Sequence, residues 1–331
     1  MTRSRFLRFG LAATLLGTGV LNVLAYSHAR AMTHFSEDGM RTPRPEDLSL
    51  GQKLEVLAFG VQLPKRKNDR TPRDLELPFE TWKIPVEDGV VLEAWDVPRV
   101  DRRGVVAMFH GYQDRKSSVL AEARAFHTLG WEPVLVDFRG SGGSSGNVTS
   151  IGFHEARDVV AALREIRGRH PGEKLVLWGV SMGGAASLRA VGALHESVDA
   201  LIVEAPFSTM RSAVVNRFNT MGVPTFALVD LFMFWGGYQQ SFDAFAHNPI
   251  DYATSVKVPT LFLLGGDDKR VLRPEGWATF NALAGEKRFE LFEGLGHQSL
   301  VRGQRSHWME VVGDFLGRFP FETATTPVPA S

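Results

Sequence analysis

Leu175-Val-Leu-Trp178 runs directly into Gly179-Val-Ser-Met-Gly-Gly184, and the reading of the whole chain turns on this stretch. The first four residues read as a strand buried on both faces, and Met182 to Leu194 as a helix rich in small residues. Ser181 therefore stands in a turn from strand into helix, with a glycine two positions away on either side. Such a turn is tight enough that its flanks must be nearly free of side chain, and it leaves the serine hydroxyl exposed under backbone strain. The helix that follows aims its first N–H groups, and the positive end of its dipole, at the place where an oxyanion would form. A serine between packing glycines can also be no more than a helix N-cap, but the strand before it and the helix after it argue for a nucleophile.

The same alternation extends in both directions. Two β-rich stretches within Trp82–Pro98 flank Glu87-Asp88-Gly89, where Asp-Gly marks a hairpin. Further strands are expected at Gly104–His110, Glu132–Phe138, Lys174–Gly179, Ala200–Ala205, Pro259–Leu264 and Arg288–Phe292. Between them lie helical patterns near Lys116–Leu129, Phe153–Arg167, Met182–Leu194, Pro274–Leu283 and Ser306–Phe315. This order predicts an α/β fold with a mostly parallel eight-stranded sheet covered by helices on both faces. Sheets of that kind place their chemistry at the carboxyl ends of the strands.

A serine hydroxyl needs a base, and His297 is the best placed histidine. It lies in the loop Glu293-Gly-Leu-Gly-His-Gln298, after the last strand and before the last helix, whereas His127, His195 and His307 fall on or at the ends of helices. The base in turn needs a carboxylate to fix its tautomer. The strand from Pro259 ends in Gly265-Gly-Asp-Asp268, so Asp267 and Asp268 both stand at the right edge, and Glu204 ends the preceding strand. No H-E-x-x-H or clustered histidine spacing points to a metal, so no metal and no cofactor is expected.

Four ordered motifs carry a resemblance: His110-Gly-Tyr-Gln113, Asp137-Phe-Arg-Gly-Ser-Gly-Gly-Ser144, Gly179-Val-Ser-Met-Gly183, and Gly265…Asp268…Val271 with Gly296-His297. Over residues 82–319 the chain resembles the α/β-hydrolase superfamily, and within it the membrane-anchored serine aminopeptidase and monoacylglycerol-lipase-like hydrolases. The resemblance implies an α/β-hydrolase fold and the chain order Ser181, Asp268, His297 for a catalytic triad. The spacing Asp268-x-x-Val271 resembles that family's acid motif, which selects Asp268 over Asp267. The backbone N–H groups of Tyr112 and Met182 would form the oxyanion hole, with His110 structural and Gly111 needing no side chain. The sequence departs from the lipase-type His-Gly-Gly-Gly pattern, which argues against bulky tertiary or sterol esters. Gly140–Gly146 lacks both the G-x-G-x-x-G spacing and a following Gly-Lys-Ser/Thr, so it reads as a loop beside the site and not a nucleotide cradle.

About fifty residues separate the strands ending at Ala205 and starting at Pro259, too many for a simple loop, so a helical cap insertion is expected at 207–257. Its aromatic run, Phe226 to Trp235, reads either as packing or as an apolar substrate wall. The expected reaction is hydrolysis of carboxylic esters of small or lipid-like acyl groups through an acyl-enzyme. The alternatives are an aminopeptidase-type peptidase, with Asp230 or Asp243 meeting the substrate ammonium, and a non-catalytic tethered binding protein.

Residues 1–32 differ from the rest. Arg3, Arg5 and Arg8 precede an uncharged run from Phe9 to Tyr26, close to the roughly 18 residues that span a bilayer. The leading expectation is an uncleaved signal anchor that leaves the catalytic domain outside the cell membrane. Cleavage near Ala29-Arg30-Ala31 would instead release a secreted or periplasmic protein, and a buried core helix is the third reading. Residues 33–81 read as a linker with one amphipathic helix between Leu48 and Val61, whose face of Leu50, Leu54, Leu57, Ala58 and Val61 is expected to dock on the catalytic domain, the alternative being a membrane-surface or substrate-entry role. Residues 320–331 read as a disordered tail. Thirty-seven Lys plus Arg balance thirty-seven Asp plus Glu, so no basic field suits nucleic acid, and the lack of cysteine removes thiolate metal sites and cysteine nucleophiles.

Overall fold

The apolar runs pair into one eight-stranded sheet: β1 (Glu80–Pro85), β2 (Val91–Asp96), β3 (Val105–Phe109), β4 (Glu132–Val136), β5 (Leu175–Val180), β6 (Ala200–Glu204), β7 (Thr260–Gly265) and β8 (Lys287–Phe292). The computed structural model describes residues 3–39, 41–43, 48–87, 89–222, 225–226 and 228–318, without the side chains of residues 3–10, 13 and 57. Strand order is β1-β2-β4-β3-β5-β6-β7-β8. β1, β2 and β4 pair antiparallel, and from β4 to β8 all neighbours are parallel, as the alternating pattern predicts. Strands β3 to β7 are buried at nearly every position, which explains why they read as continuous apolar runs and not as alternating ones.

The described helices are α1 (Arg3–Thr33), α2 (Leu50–Phe59), α3 (Leu120–Thr128), α4 (Glu155–Arg169), α5 (Met182–Gly192), α6 (Met210–Met221), α7 (Leu228–Gln239), α8 (Pro249–Ala253), α9 (Arg273–Ala282), α10 (Leu300–Gly303) and α11 (Arg305–Gly317). α3 and α11 cover one face of the sheet, where Phe126 meets Trp308 edge-on at 5.2 Å. α4, α5 and α9 cover the other through residues such as Val159, Leu163, Leu188 and Phe280. Each large apolar side chain fully buried in these layers contributes about 1.5–3 kcal/mol.

Between β6 and β7, where the cap is expected, stand α6, α7 and α8. α8 turns back onto the body: a Cβ at Gly192 of α5 would fall 2.1 Å from the Tyr252 carbonyl oxygen, so the two helices touch through bare backbone. α7 turns Val229, Phe232 and Met233 inward and leaves Phe234 and Tyr238 exposed. Its aromatic run thus serves both packing and the surface.

The N-terminal third departs from expectation. The C-terminal half of α1 docks on α7, with the Trp235 indole N–H donating to Asn22 Oδ1 (3.2 Å), Gln239 Nε2 donating to the Tyr26 carbonyl (2.9 Å), and Ala25, Ala29 and Thr33 buried. Among the described residues no helix is long and apolar enough to cross a membrane. The expected span from Phe9 begins where the side chains lie outside the described residues. α2 forms with a Ser49–Gln52 capping box, but two residues of the face expected to dock, Leu50 and Leu54, face solvent. Leu50 and Leu54 are 76% and 59% exposed, and Val61 falls beyond the helix end. α2 meets α1 at Gly60, where a Cβ would meet the Ala31 Cβ at 2.7 Å, while Leu50 and Leu54 are left uncovered. The stretch read as linker is in part built into the body. Phe35 and Leu63 are buried, and Asn68 Nδ2 donates to Asp137 Oδ2 at 2.8 Å. The tail, 320–331, lies outside the described residues.

Candidate active site

Ser181 sits at φ 53°, ψ −116° between β5 and α5, a backbone state that costs a non-glycine residue about 1–3 kcal/mol. Its surroundings hold it there. Its own N–H donates to the Glu204 carbonyl (2.7 Å), and its carbonyl accepts from the Ala185 N–H (3.0 Å). The flanking glycines are steric necessities: a Cβ at Gly179 would lie 2.4 Å from the Gly183 carbonyl oxygen, and one at Gly183 would lie 2.3 Å from that of Phe109.

The histidine loop and the acid loop are laced together. A Cβ at Gly265 would stand 2.5 Å from the Gly296 carbonyl oxygen, and the Asp267 N–H donates to the Leu295 carbonyl at 2.8 Å. Asp268 is 5% exposed. Its Oδ1 accepts from the N–H groups of Arg270 (2.7 Å) and Val271 (3.0 Å), which leaves Oδ2 to face His297. His297 Nδ1 lies 2.7 Å from Asp268 Oδ2 and Nε2 lies 3.0 Å from Ser181 Oγ. A carboxylate only accepts, so Nδ1 donates to it and Nε2 is left to accept from the serine hydroxyl. The structure therefore brings Ser181, His297 and Asp268 together. Asp267, the neighbouring carboxylate, is exposed.

Glu204, the third acid at the strand ends, goes elsewhere. Both the Trp178 and Trp308 indole N–H groups donate to its Oε1, at 2.9 and 2.8 Å. Burial, helped by the nearby Glu122 carboxyl, pushes its pKa up from 4.5 to about 8. The unfolded chain then gives up this proton first, so stability falls as pH rises from about 4.5 to about 8, by at most about 1.4 kcal/mol per pH unit. Glu204→Gln keeps the acceptor for both indoles and has no proton to lose. Thermal midpoints measured across that window should fall less steeply for the variant, which should be the more stable protein at pH 8; parallel slopes would refute the assignment.

The loop after β3 lies against the serine, since a Cβ at Gly111 would come 3.5 Å from Ser181 Cβ. His110 is fully buried and structural: its Nε2 accepts from the Phe138 N–H (3.1 Å), and its Nδ1 lies 2.8 Å from the Gly111 carbonyl. The Met182 N–H opens α5, where no intrahelical acceptor exists for it. The Tyr112 N–H directly follows Gly111. The Tyr112 hydroxyl donates to the Met32 carbonyl at 2.6 Å, tying the end of α1 to this loop. Sequence reading missed that tie, although Ala25, Ala29 and Thr33 at four-residue spacing mark a helix face cut for close approach. Gln113, which ends the His110-Gly-Tyr-Gln113 motif, is held at φ 51°, and its Nε2 is buried with no hydrogen-bond partner among the described residues.

An apolar cavity opens between α6 and α7, lined by Met210, Val214, Phe232, Met233, Ile151 and Thr33 among others. Next to its lining residues Ser150 and Ile151, the Thr149 hydroxyl lies 3.6 Å from Met182 Sδ and Gly152 abuts the Met182 carbonyl. Of the cap carboxylates, Asp230 pairs with Arg211 (3.2 Å), Asp243 Oδ1 accepts from the Phe245 N–H (2.8 Å), and Asp251 Oδ2 accepts from Asn248 Nδ2 (3.0 Å). The glycine-rich loop folds around Asp137, where a Cβ at Gly142 would overlap the carboxylate. Arg139 forms a buried pair with Asp158 at 2.6 Å and is structural.

Residues 100–234 match the family described as serine aminopeptidase, S33. Protein bem46 of Schizosaccharomyces pombe is 24% identical over 323 residues, covering 93% of this chain and 98% of its own. The uncharacterized membrane protein YNL320W of Saccharomyces cerevisiae is 25% identical over 150 residues, 45% of this chain and 53% of its own. Among solved structures, the esterase Pf2001 of Pyrococcus furiosus superposes with a TM-score of 0.65 at 21% identity, covering 77% of this chain and 96% of the other.

Proposed function

We propose that this chain, a member of the α/β-hydrolase superfamily, is a serine hydrolase that cleaves carboxylic esters through a Ser181–His297–Asp268 triad. One observation carries the reading: an unbroken relay from Asp268 Oδ2 through His297 to Ser181 Oγ, with links of 2.7 and 3.0 Å. As Oγ attacks the ester carbonyl carbon, its proton passes to His297 Nε2, and Asp268 stabilises the imidazolium. The N–H groups of Met182 and Tyr112 hold the oxyanion. The carbon–oxygen bond to the alcohol then breaks, and His297 returns the proton to the departing oxygen. Water repeats the sequence on the acyl-enzyme, releasing the acid and Ser181.

The walls of the small cavity between α6 and α7 are apolar, with methionine, valine and phenylalanine, but Ser181 is not among its lining residues. The S33 family match favours a second reading, release of an N-terminal residue from a peptide. That reaction wants a carboxylate for the substrate ammonium, and the two considered in the cap are engaged by Arg211 and by the Phe245 N–H. Ester cleavage is therefore the leading reading. The exposed Leu11, Leu15, Leu16 and Val20 of α1, together with three arginines before them, support a membrane tether that leaves the body extracytoplasmic.

A rate panel of acyl nitrophenyl esters of increasing length beside aminoacyl anilides tests the reaction. Esters should be turned over at least tenfold faster than any anilide; faster anilide cleavage would turn the assignment to the peptidase.

A further inference from the structure

The rim of the sheet opposite Ser181 carries a second set of chemistry-bearing side chains. Asp96 closes β2, Glu132 opens β4, and His170 follows the last turn of α4. Asp96 lies across from Val134 in the antiparallel ladder, so Glu132, two residues earlier on β4, shares its face of the sheet. Asp96 and Glu132 are 5% and 1% exposed, and the His170 side chain 10%. One ligand atom from each of the three lies within 4.8 Å of the others.

Three polar atoms here have no hydrogen bond among the described residues: Asp96 Oδ1, Glu132 Oε1 and His170 Nε2. Leaving such atoms buried and unsatisfied costs about 1–3 kcal/mol each, more for charged ones. The Asp96 and Glu132 carboxyls face each other, so either a shared proton or a cation between them would meet that cost. The other Glu132 oxygen, Oε2, is already fixed, accepting from the Arg99 N–H (2.9 Å) and from Arg102 Nη1 (3.2 Å). That leaves Oε1 turned to His170 Nε2, at 3.4 Å. Two ligands bound about 2.1 Å from a tetrahedral ion are themselves about 3.4 Å apart.

We infer that Asp96, Glu132 and His170 form a divalent-cation site, with Zn²⁺ as its ion. The donor set is one imidazole and two carboxylates, the hard and intermediate ligands that Zn²⁺ takes where no thiolate is present. The Arg99 and Arg102 contacts to Oε2 orient the glutamate from outside, as partners of metal-bound carboxylates do. The site stands at the wrong end of the parallel strands to touch substrate. Its effect is structural: it joins β2, β4 and the end of α4 where the sheet changes from antiparallel to parallel pairing.

The experiment uses the purified full chain, stripped with chelator and then dialysed against Zn²⁺. The wild type should retain about one zinc per chain by elemental analysis, raise its thermal midpoint on loading, and give a visible d–d spectrum with Co²⁺. Asp96→Asn and His170→Gln should each lose zinc retention at least tenfold and change the Co²⁺ spectrum, while ester turnover stays near that of wild type. Absence of stoichiometric zinc in the wild type overturns the site, as does equal retention by both variants. A third overturning result is Asp96→Asn stabilising the stripped protein while zinc content stays unchanged, which would mean a proton shared between Asp96 and Glu132.

Discussion

Ser181→Ala should abolish covalent labelling by a fluorophosphonate probe and lower ester turnover on the order of 10⁶-fold, to the level that oxyanion binding alone sustains. The variant is a clean test because alanine at φ 53° carries much the same backbone strain as serine. The two backbone bonds that hold the turn, from the Ser181 N–H to Glu204 and from Ala185 to the Ser181 carbonyl, do not involve the hydroxyl. An unchanged thermal midpoint with lost labelling is therefore expected. Labelling that persists would place the nucleophile elsewhere and remove the proposed reaction.

Asp268→Asn should lower kcat about 10⁴-fold, while Asp267→Asn should stay within about twofold of wild type. The asymmetry follows from how Asp268 is held. Its Oδ1 accepts two backbone N–H groups, so an asparagine keeps its carbonyl oxygen there and turns its NH₂ toward His297. His297 Nδ1 then has to accept, which puts the ring proton on Nε2, the atom that must take the proton of Ser181. The loss should fall on kcat with little change in stability. Asp267 is exposed, and its N–H bond to the Leu295 carbonyl survives the substitution. The reverse ranking of the two variants would show that the acid is Asp267.

Much of the candidate site is legible in the sequence. The Ser181 turn is written in Gly179 and Gly183 because only bare backbone fits between β5, α5 and β3, and steric need of that kind leaves a fixed local pattern. His297 was legible for a similar reason, standing in a glycine-flanked loop after the last strand. The choice between Asp267 and Asp268 was less local. It depends on the Arg270 and Val271 N–H groups claiming one oxygen of Asp268, which spacing hints at and folding enforces.

By itself the sequence determined the order of strands and helices, the parallel sheet and the turn carrying Ser181, because these follow from hydrophobic period and backbone sterics within a few residues. Tertiary structure alone decided which faces find partners. α1 and α2 both carry exposed leucines, yet the end of α1 docks on α7 while Leu50 and Leu54 of α2 face solvent. Asp96, Glu132 and His170 likewise meet only because β2, β4 and α4 end at one rim. Burial and ligand geometry between distant segments depend on how the layers pack, and no local period encodes that.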